Sequence, residues 1–156
     1  MAVWAVALLA AATWSAHYDP ATVREQSDLA TGRQRLDQVV TTVAETVGPG
    51  VAVDIRPYQV VTGCRLTLAR RGTEVDQTVL LSVPAGEEVT LLQRLVAELP
   101  EHWAARYHER SNRFFADAGE FVALRGQVEE PGRVRLTAGT GCRPGDDPGL
   151  ILPAGD

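Results

Sequence analysis

The tetrapeptide Thr-Gly-Cys-Arg occurs twice, at Thr62–Arg65 and again at Thr140–Arg143, and the two copies hold the only cysteines. They stand 78 positions apart, half of a 156-residue chain. A covalent link between such distant points would restrict the fold more than any other single feature. The flanks at that offset share no further similarity, so the repeat is local and not the trace of a duplication. A structural zinc site needs four ligands in close pairs, and a thioredoxin-like redox site needs Cys-x-x-Cys; neither spacing is present. Each cysteine adjoins a predicted strand, and the glycine before it permits close backbone approach. The arrangement favours a disulfide between two equivalent strand ends, with the second copy tying the C-terminal part of the chain to the first hairpin. Two inert structural thiols are the alternative. Closing a loop this long stabilises a fold by about 4 kcal/mol in the chain-entropy account.

A disulfide persists in an oxidising compartment, and the first sixteen residues, MAVWAVALLAAATWSA, carry no charge. As a helix they span about 24 Å, short of the roughly 30 Å hydrocarbon core. The positive n-region of a signal peptide is missing, which a start upstream of Met1 would explain. Ala10-Ala11-Ala12 offers a small-residue cleavage site, whereas Trp14 suits the interface belt of an uncleaved anchor. Residues 1–18 are therefore read as an apolar helix serving as signal peptide or membrane anchor, with a buried core helix as the third possibility. The first two place residues 19–144 outside the cell membrane, tethered or secreted, and leave 145–156 as an irregular tail. The net charge of −5 and the absence of a clustered basic excess exclude an obvious nucleic-acid partner. All fifteen basic residues are arginine, a bias that a GC-rich genome produces without selection for function.

The rest of the chain alternates between two periodicities. Asp19-Pro20 reads as a helix start, Arg24 to Gly32 as a polar stalk, and Leu29, Leu36, Val40, Val43 and Val47 as one apolar helical stripe ended by Gly48-Pro49-Gly50. Period-two alternation follows in Val51, Val53 and Ile55, then in a hairpin over 64–83 that turns at Arg71-Gly72-Thr73. A second helix begins near Glu87-Glu88, buries Leu92, Leu95, Val96 and Leu99, and stops at Pro100. Four further strands are predicted at Trp103–His108, Arg113–Ala116, Phe121–Val128 and Arg133–Ala138. The order α-β-β-β-α-β-β-β-β predicts an α+β domain with two helices packed on a mostly antiparallel sheet.

Catalytic motifs are not found. Gly139–Gly145 lacks the spacing of a phosphate loop, Asp146-Asp147 lacks that of a calcium loop, and neither a nucleophile elbow nor His-Glu-x-x-His occurs. The pairs Glu87-Glu88 and Glu129-Glu130 read as a helix start and a turn. His102 and His108 would share a strand face beside Glu101 and Glu109, without a third partner that sequence can place, and His17 sits in the apolar end. No cofactor or metal is expected. Arginine is the one polar feature with a candidate role. A Cys64–Cys142 bond would bring Arg65 and Arg143 together as a guanidinium pair for a carboxylate or phosphate, and Arg133 and Arg135 share a strand face. A solvated face paired with acids is the plainer reading.

A cysteine after the first strand and a closing Thr-Gly-Cys-Arg-Pro resemble small exported actinobacterial proteins, of which the LppA-type lipoproteins are the nearest. The resemblance covers roughly residues 20–144, but its specific part is Cys64, Cys142 and the closing motif. It implies a helix-on-sheet domain with one internal disulfide and no established activity. The chain departs from the lipoproteins in lacking a cysteine at the end of the apolar segment, so attachment would be by a protein helix. Sequence thus leads to a non-enzymatic extracytoplasmic domain that binds a ligand or partner at the cell envelope. The alternative is an envelope hydrolase with an unrecognised site.

Overall fold

The computed structural model describes residues 27–145. The predicted apolar segment 1–18, the Asp19-Pro20 start signal, His17 and the tail from Asp146 onward lie outside the described residues. No helix among the described residues is long and apolar enough to cross a membrane.

Helix α1 (Leu29–Thr46) starts where Asp28 accepts a hydrogen bond from the Thr31 amide at 2.8 Å, satisfying one of the amides a helix start leaves free. Leu29, Gly32, Leu36, Val39, Val40 and Val43 are buried along one face, and Val47 continues it. Leu29 and Gly32 belong to this face, which corrects the C-terminal part of the polar stalk expected over Arg24 to Gly32; Arg24 to Gln26 lie outside the described residues. Gly48, at φ 75°, ends the helix in the left-handed region that suits glycine. Seven strands follow, β1 (Ala52–Ile55), β2 (Gln59–Arg65) and β3 (Arg71–Ser82) before helix α2 (Glu88–Glu98), then β4 (Arg106–His108), β5 (Arg113–Asp117), β6 (Ala123–Glu130) and β7 (Arg133–Gly139). This is the predicted α+β fold, with every strand pair antiparallel.

The long strand β3 organises the sheet. Its outer edge is shared by β1, which pairs with Val79–Ser82, and β2, which pairs with Arg71–Asp76. Its inner edge pairs with β7, and β6, β5 and β4 follow in that order. Alternation sends Val75, Val79 and Leu81 of β3, Val134, Leu136 and Ala138 of β7, Leu124 of β6 and Phe114 of β5 to one face. Both helices cover that face, and among the described residues no helix covers the other, so the core is a single layer between helices and sheet. Gly126 admits the Phe114 ring, since a Cβ there would meet its Cε1 at 2.2 Å.

Several element boundaries differ from expectation. The hairpin turns at 66–70, not at 71–73, because Thr67 Oγ1 accepts from the Ala69 and Arg70 amides and caps the bend. Leu68 is left 96 % exposed at its tip. Residues Glu101–Trp103 form a 3-10 turn closed by left-handed Ala104, so the predicted strand 103–108 shrinks to β4, and His102 and His108 do not share a strand face. In α2 the buried set is Leu91, Leu92, Leu95 and Leu99, while Val96 lies half-buried at the edge of the stripe.

Glu88, the first residue of α2, fastens the start of the helix to its surroundings. Its carboxylate accepts from the Gly86 amide and from the Gly132 amide in the β6–β7 turn, so it ties α2 to the sheet. These backbone hydrogen bonds, that of Gly132 foremost, hold the Glu88 carboxyl below the usual glutamate range. A lowered carboxylate pKa stabilises the fold above the unfolded value of about 4.3, and the contribution disappears as pH falls through the folded value. Glu88→Gln should therefore lower the melting temperature near pH 7, and the deficit should close on acidification below about pH 4. In the core, Leu36→Ala and Leu95→Ala should each cost about 2–5 kcal/mol in denaturant unfolding. Val96→Ala should cost clearly less than either.

Candidate functional site

The chain's two cysteines are bonded to each other, with Cα atoms 5.9 Å apart, and the local backbone shows why their contexts match. Gly63 and Gly141, each preceding a cysteine, both have positive φ, 75° and 63°. Gly63 sits at the bulge between Thr62 and Cys64 in the β2–β3 ladder, and Gly141 turns the chain out of β7. A side chain at either position would be strained in this region, so the same dipeptide solves the same problem twice. Between the two segments runs the start of β3. Cys64 lies opposite Gly72, while Thr73 exchanges both backbone hydrogen bonds with Arg143, at 2.9 and 2.8 Å. A Cβ at Gly72 would come within 2.3 Å of the Arg143 carbonyl, so glycine there lets the second cysteine segment close over β3.

Arg143 is not available to a ligand. It is fully buried, and its guanidinium is spent on the protein's own oxygens. Nε donates to the Thr140 carbonyl at 3.0 Å, Nη1 to the Ser27 carbonyl at 3.1 Å and the Ser27 hydroxyl at 2.6 Å, and Nη2 to the Glu120 carbonyl. Burial lowers its pKa, with Glu120 and Asp28 opposing. Arg65 remains exposed at the end of β2, paired in register with Arg71. The expected grip of Arg65 and Arg143 on an anion is thus corrected: the disulfide draws Arg143 into the interior, where it serves as a staple.

A different set of arginines gathers on the sheet face that the helices leave open. In register across the strands, one row reads His108, Arg113, Gln127, Arg135 and Leu80; the next reads Arg106, Phe115, Arg125, Thr137 and Thr78. Arg113, Arg125, Arg135, Gln127, Phe115 and Thr137 line one open hollow of about 500 Å³. Ser111 and His108 complete its polar rim, and no carboxylate belongs to the lining. Arg135 is bonded to Glu129, a partly buried carboxylate, so one of the three guanidinium groups already has an anionic partner at the border of the hollow. Among the described residues, the side chains of Arg113 and Arg125 make no hydrogen bond or ion pair. Arg133, expected to share a face with Arg135, is paired at 2.7 Å with Glu130 beyond the hollow. Acids border the hollow as well: Asp117 on β5 and Glu129 on β6, with Glu74 and Asp76 on β3, while Asp54 on β1 is bonded to Arg56 at 3.1 Å. Burial, and then Glu74, raises the Asp76 carboxyl, while Arg125 opposes the shift.

The sequence signal for this hollow was present but incomplete. Arg133 and Arg135 on one strand face marked a basic row. Arg113 and Arg125 could join it only once β5, β6 and β7 were known to be neighbours in this register. No group of three histidine, cysteine, aspartate or glutamate side chains that could hold a metal gathers among the described residues. No protein-family model, curated protein or solved structure matches the chain. The resemblance to LppA-type lipoproteins therefore rests on Cys64, Cys142 and the closing Thr-Gly-Cys-Arg-Pro alone.

Two substitutions probe the clasp. Replacing Cys64 and Cys142 together by serine should cost about 4 kcal/mol, a large share of a typical stability of about 5–15 kcal/mol, and unreduced denatured protein should show no free thiol on labelling. Gly32→Ala should also destabilise. Helix propensity alone favours alanine by about 1 kcal/mol. A Cβ there would lie 2.3 Å from Arg143 Nε, however, and this side chain is fixed by its hydrogen bonds. A rise in melting temperature for Gly32→Ala would contradict the rigidity assigned to the staple.

Proposed function

We propose that the chain is a non-enzymatic extracytoplasmic domain, tethered or secreted at the cell envelope, whose open sheet face takes an anionic ligand or partner. The carrying observation is the convergence of Arg113, Arg125 and Arg135 on one hollow whose own lining includes no carboxylate, Arg135 alone being paired with Glu129 at its border, in a chain whose net charge is −5. Arg113, Arg125 and Arg135 fall within two neighbouring rows of β5–β7, with Asp117 and Glu129 on the same strands. Guanidinium groups, with their planar fork of N–H donors, suit carboxylate and phosphate oxygens. The disulfide supports an oxidising location, since such bonds are rare in the cytosol.

The rival hydrolase reading finds less support in the same hollow. Ser111 Oγ donates to the main-chain carbonyl of His108 at 3.4 Å and not to an imidazole, so it is not poised as an activated nucleophile. The lining also supplies no carboxylate to orient a base. Its contents are donors, an aromatic ring and small polar groups, which bind without breaking bonds.

Titration with inorganic phosphate, followed by amide chemical shifts, tests the reading. Shifts should centre on Gln127 and its neighbours, weaken with added sodium chloride, and be weakened about tenfold or more in Arg113→Gln/Arg125→Gln, or about 1.4 kcal/mol. Shifts elsewhere only, or undiminished in the double variant, would refute the site. Fractionation of the native host should recover the oxidised protein from membranes or medium; reduced protein in the soluble cytoplasm would refute the location.

A further inference from the structure

The hollow carries more information than the sign of its charge. Arg113 on β5 and Arg135 on β7 flank Gln127 on β6 in one row, so they stand two strands apart, about 10 Å. Arg125 lies on the same strand as Gln127 one row away, in a diagonal relation of about 7–8 Å to each of the others. The three arginines therefore occupy neighbouring positions around Gln127 on one face, within reach of a ligand seated between them. A carboxylate offers two oxygens in one plane and is satisfied by a single bidentate guanidinium. A terminal phosphate offers three oxygens and about two negative charges near neutrality, and can engage three cations at once.

Phe115 adds the second component. It is the row neighbour of Arg125 on one side and of Arg106 on the other, and it is 42 % exposed among polar side chains. The strand alternation that buries Phe114 presents this ring to solvent on the open face, so it is not a core residue at the margin. A ring in this place costs solvation unless something covers it, and it borders the hollow that the arginines line. Its face or edge offers apolar contact, and aromatic pairs contribute about 0.5–1.5 kcal/mol beyond simple burial.

Resting on the anion-binding reading above, we infer that the hollow takes a phosphate monoester with a planar ring. The phosphate sits among Arg113, Arg125 and Arg135, and the ring lies against Phe115. The same phosphate chemistry also occurs on a lipid headgroup, but a lipid would present acyl chains in place of a ring.

Isothermal titration of the full domain with phenyl phosphate, inorganic phosphate and benzoate tests the inference. Phenyl phosphate should bind at least tenfold more tightly than inorganic phosphate, and benzoate more weakly than phenyl phosphate by a similar margin. Phe115→Leu, which keeps an apolar side chain on the solvent face but removes the ring, should abolish the advantage of phenyl phosphate and leave inorganic phosphate unchanged. Arg125→Gln should weaken both phosphates by the same factor. If inorganic phosphate binds but phenyl phosphate gains nothing, or benzoate matches it, the ring-bearing phosphate is overturned while the anion site stands. Preferential sedimentation with phosphatidylcholine vesicles containing phosphatidic acid, without a phenyl phosphate advantage, would likewise overturn it in favour of a lipid. If none of these anions binds, both readings fall together.

Discussion

A positive charge buried without a bonded carboxylate is the constraint on which much of this structure depends. Removing the Arg143 guanidinium from water is costly, and the cost is offset only if its N–H groups find acceptors of good geometry. Three segments supply them: Ser27 ahead of α1, Thr140 at the end of β7, and Glu120 in the turn before β6. That turn holds Gly119, Glu120 and Phe121 all at positive φ, a conformation that non-glycine residues adopt at a cost of about 1–2 kcal/mol each. Arg143 and Arg35, which donates to the Ala118 carbonyl, compensate by fixing it from two sides. The disulfide one residue away ensures that Arg143 enters at the right place, and the Leu29 amide closes the junction on Pro144.

The staple therefore joins elements far apart in sequence at one corner of the sheet. Glycine at position 32 belongs to the same constraint, since α1 can cross Arg143 closely only where a side chain is missing. Glycine at 72 does the equivalent for the backbone of β3. The covalent bond reduces the freedom of the unfolded chain, whereas the guanidinium organises the folded one. The two act on different states and so reinforce each other.

With both helices on one face, the sheet's other face is free to carry function. An antiparallel sheet tolerates this because alternation separates the two faces residue by residue. Here the solvent face carries a cluster of arginines from β5, β6 and β7 beside Phe115, bordered by Asp117 and Glu129 on the same strands and by Glu74 and Asp76 on β3. The half-buried Asp76, whose carboxyl is raised by burial, lies near enough to Arg125 for that cation to oppose the rise.

The order of elements, the helix stripes of α1 and the pairing of the cysteines were all legible in the chain, because each rests on local periodicity or on a count of two. Leu36, Val40 and Val43 recur at helical spacing whatever surrounds them, and a lone pair of cysteines has one partner each. Boundaries set by a side-chain cap, as at Thr67, or by left-handed residues, as at Ala104 and Phe121, were not legible, because those conformations are imposed by neighbours in space. The fate of the arginines was decided by tertiary structure alone. Sequence placed Arg65 and Arg143 in identical contexts, yet one is exposed and the other buried. The difference is that only Arg143 lies where a glycine on α1, a turn carbonyl and the Ser27 hydroxyl converge. Arg113, Arg125 and Arg135 likewise share no sequence motif, and they meet because strand register, a long-range property, sets their side chains on adjacent strands of one face.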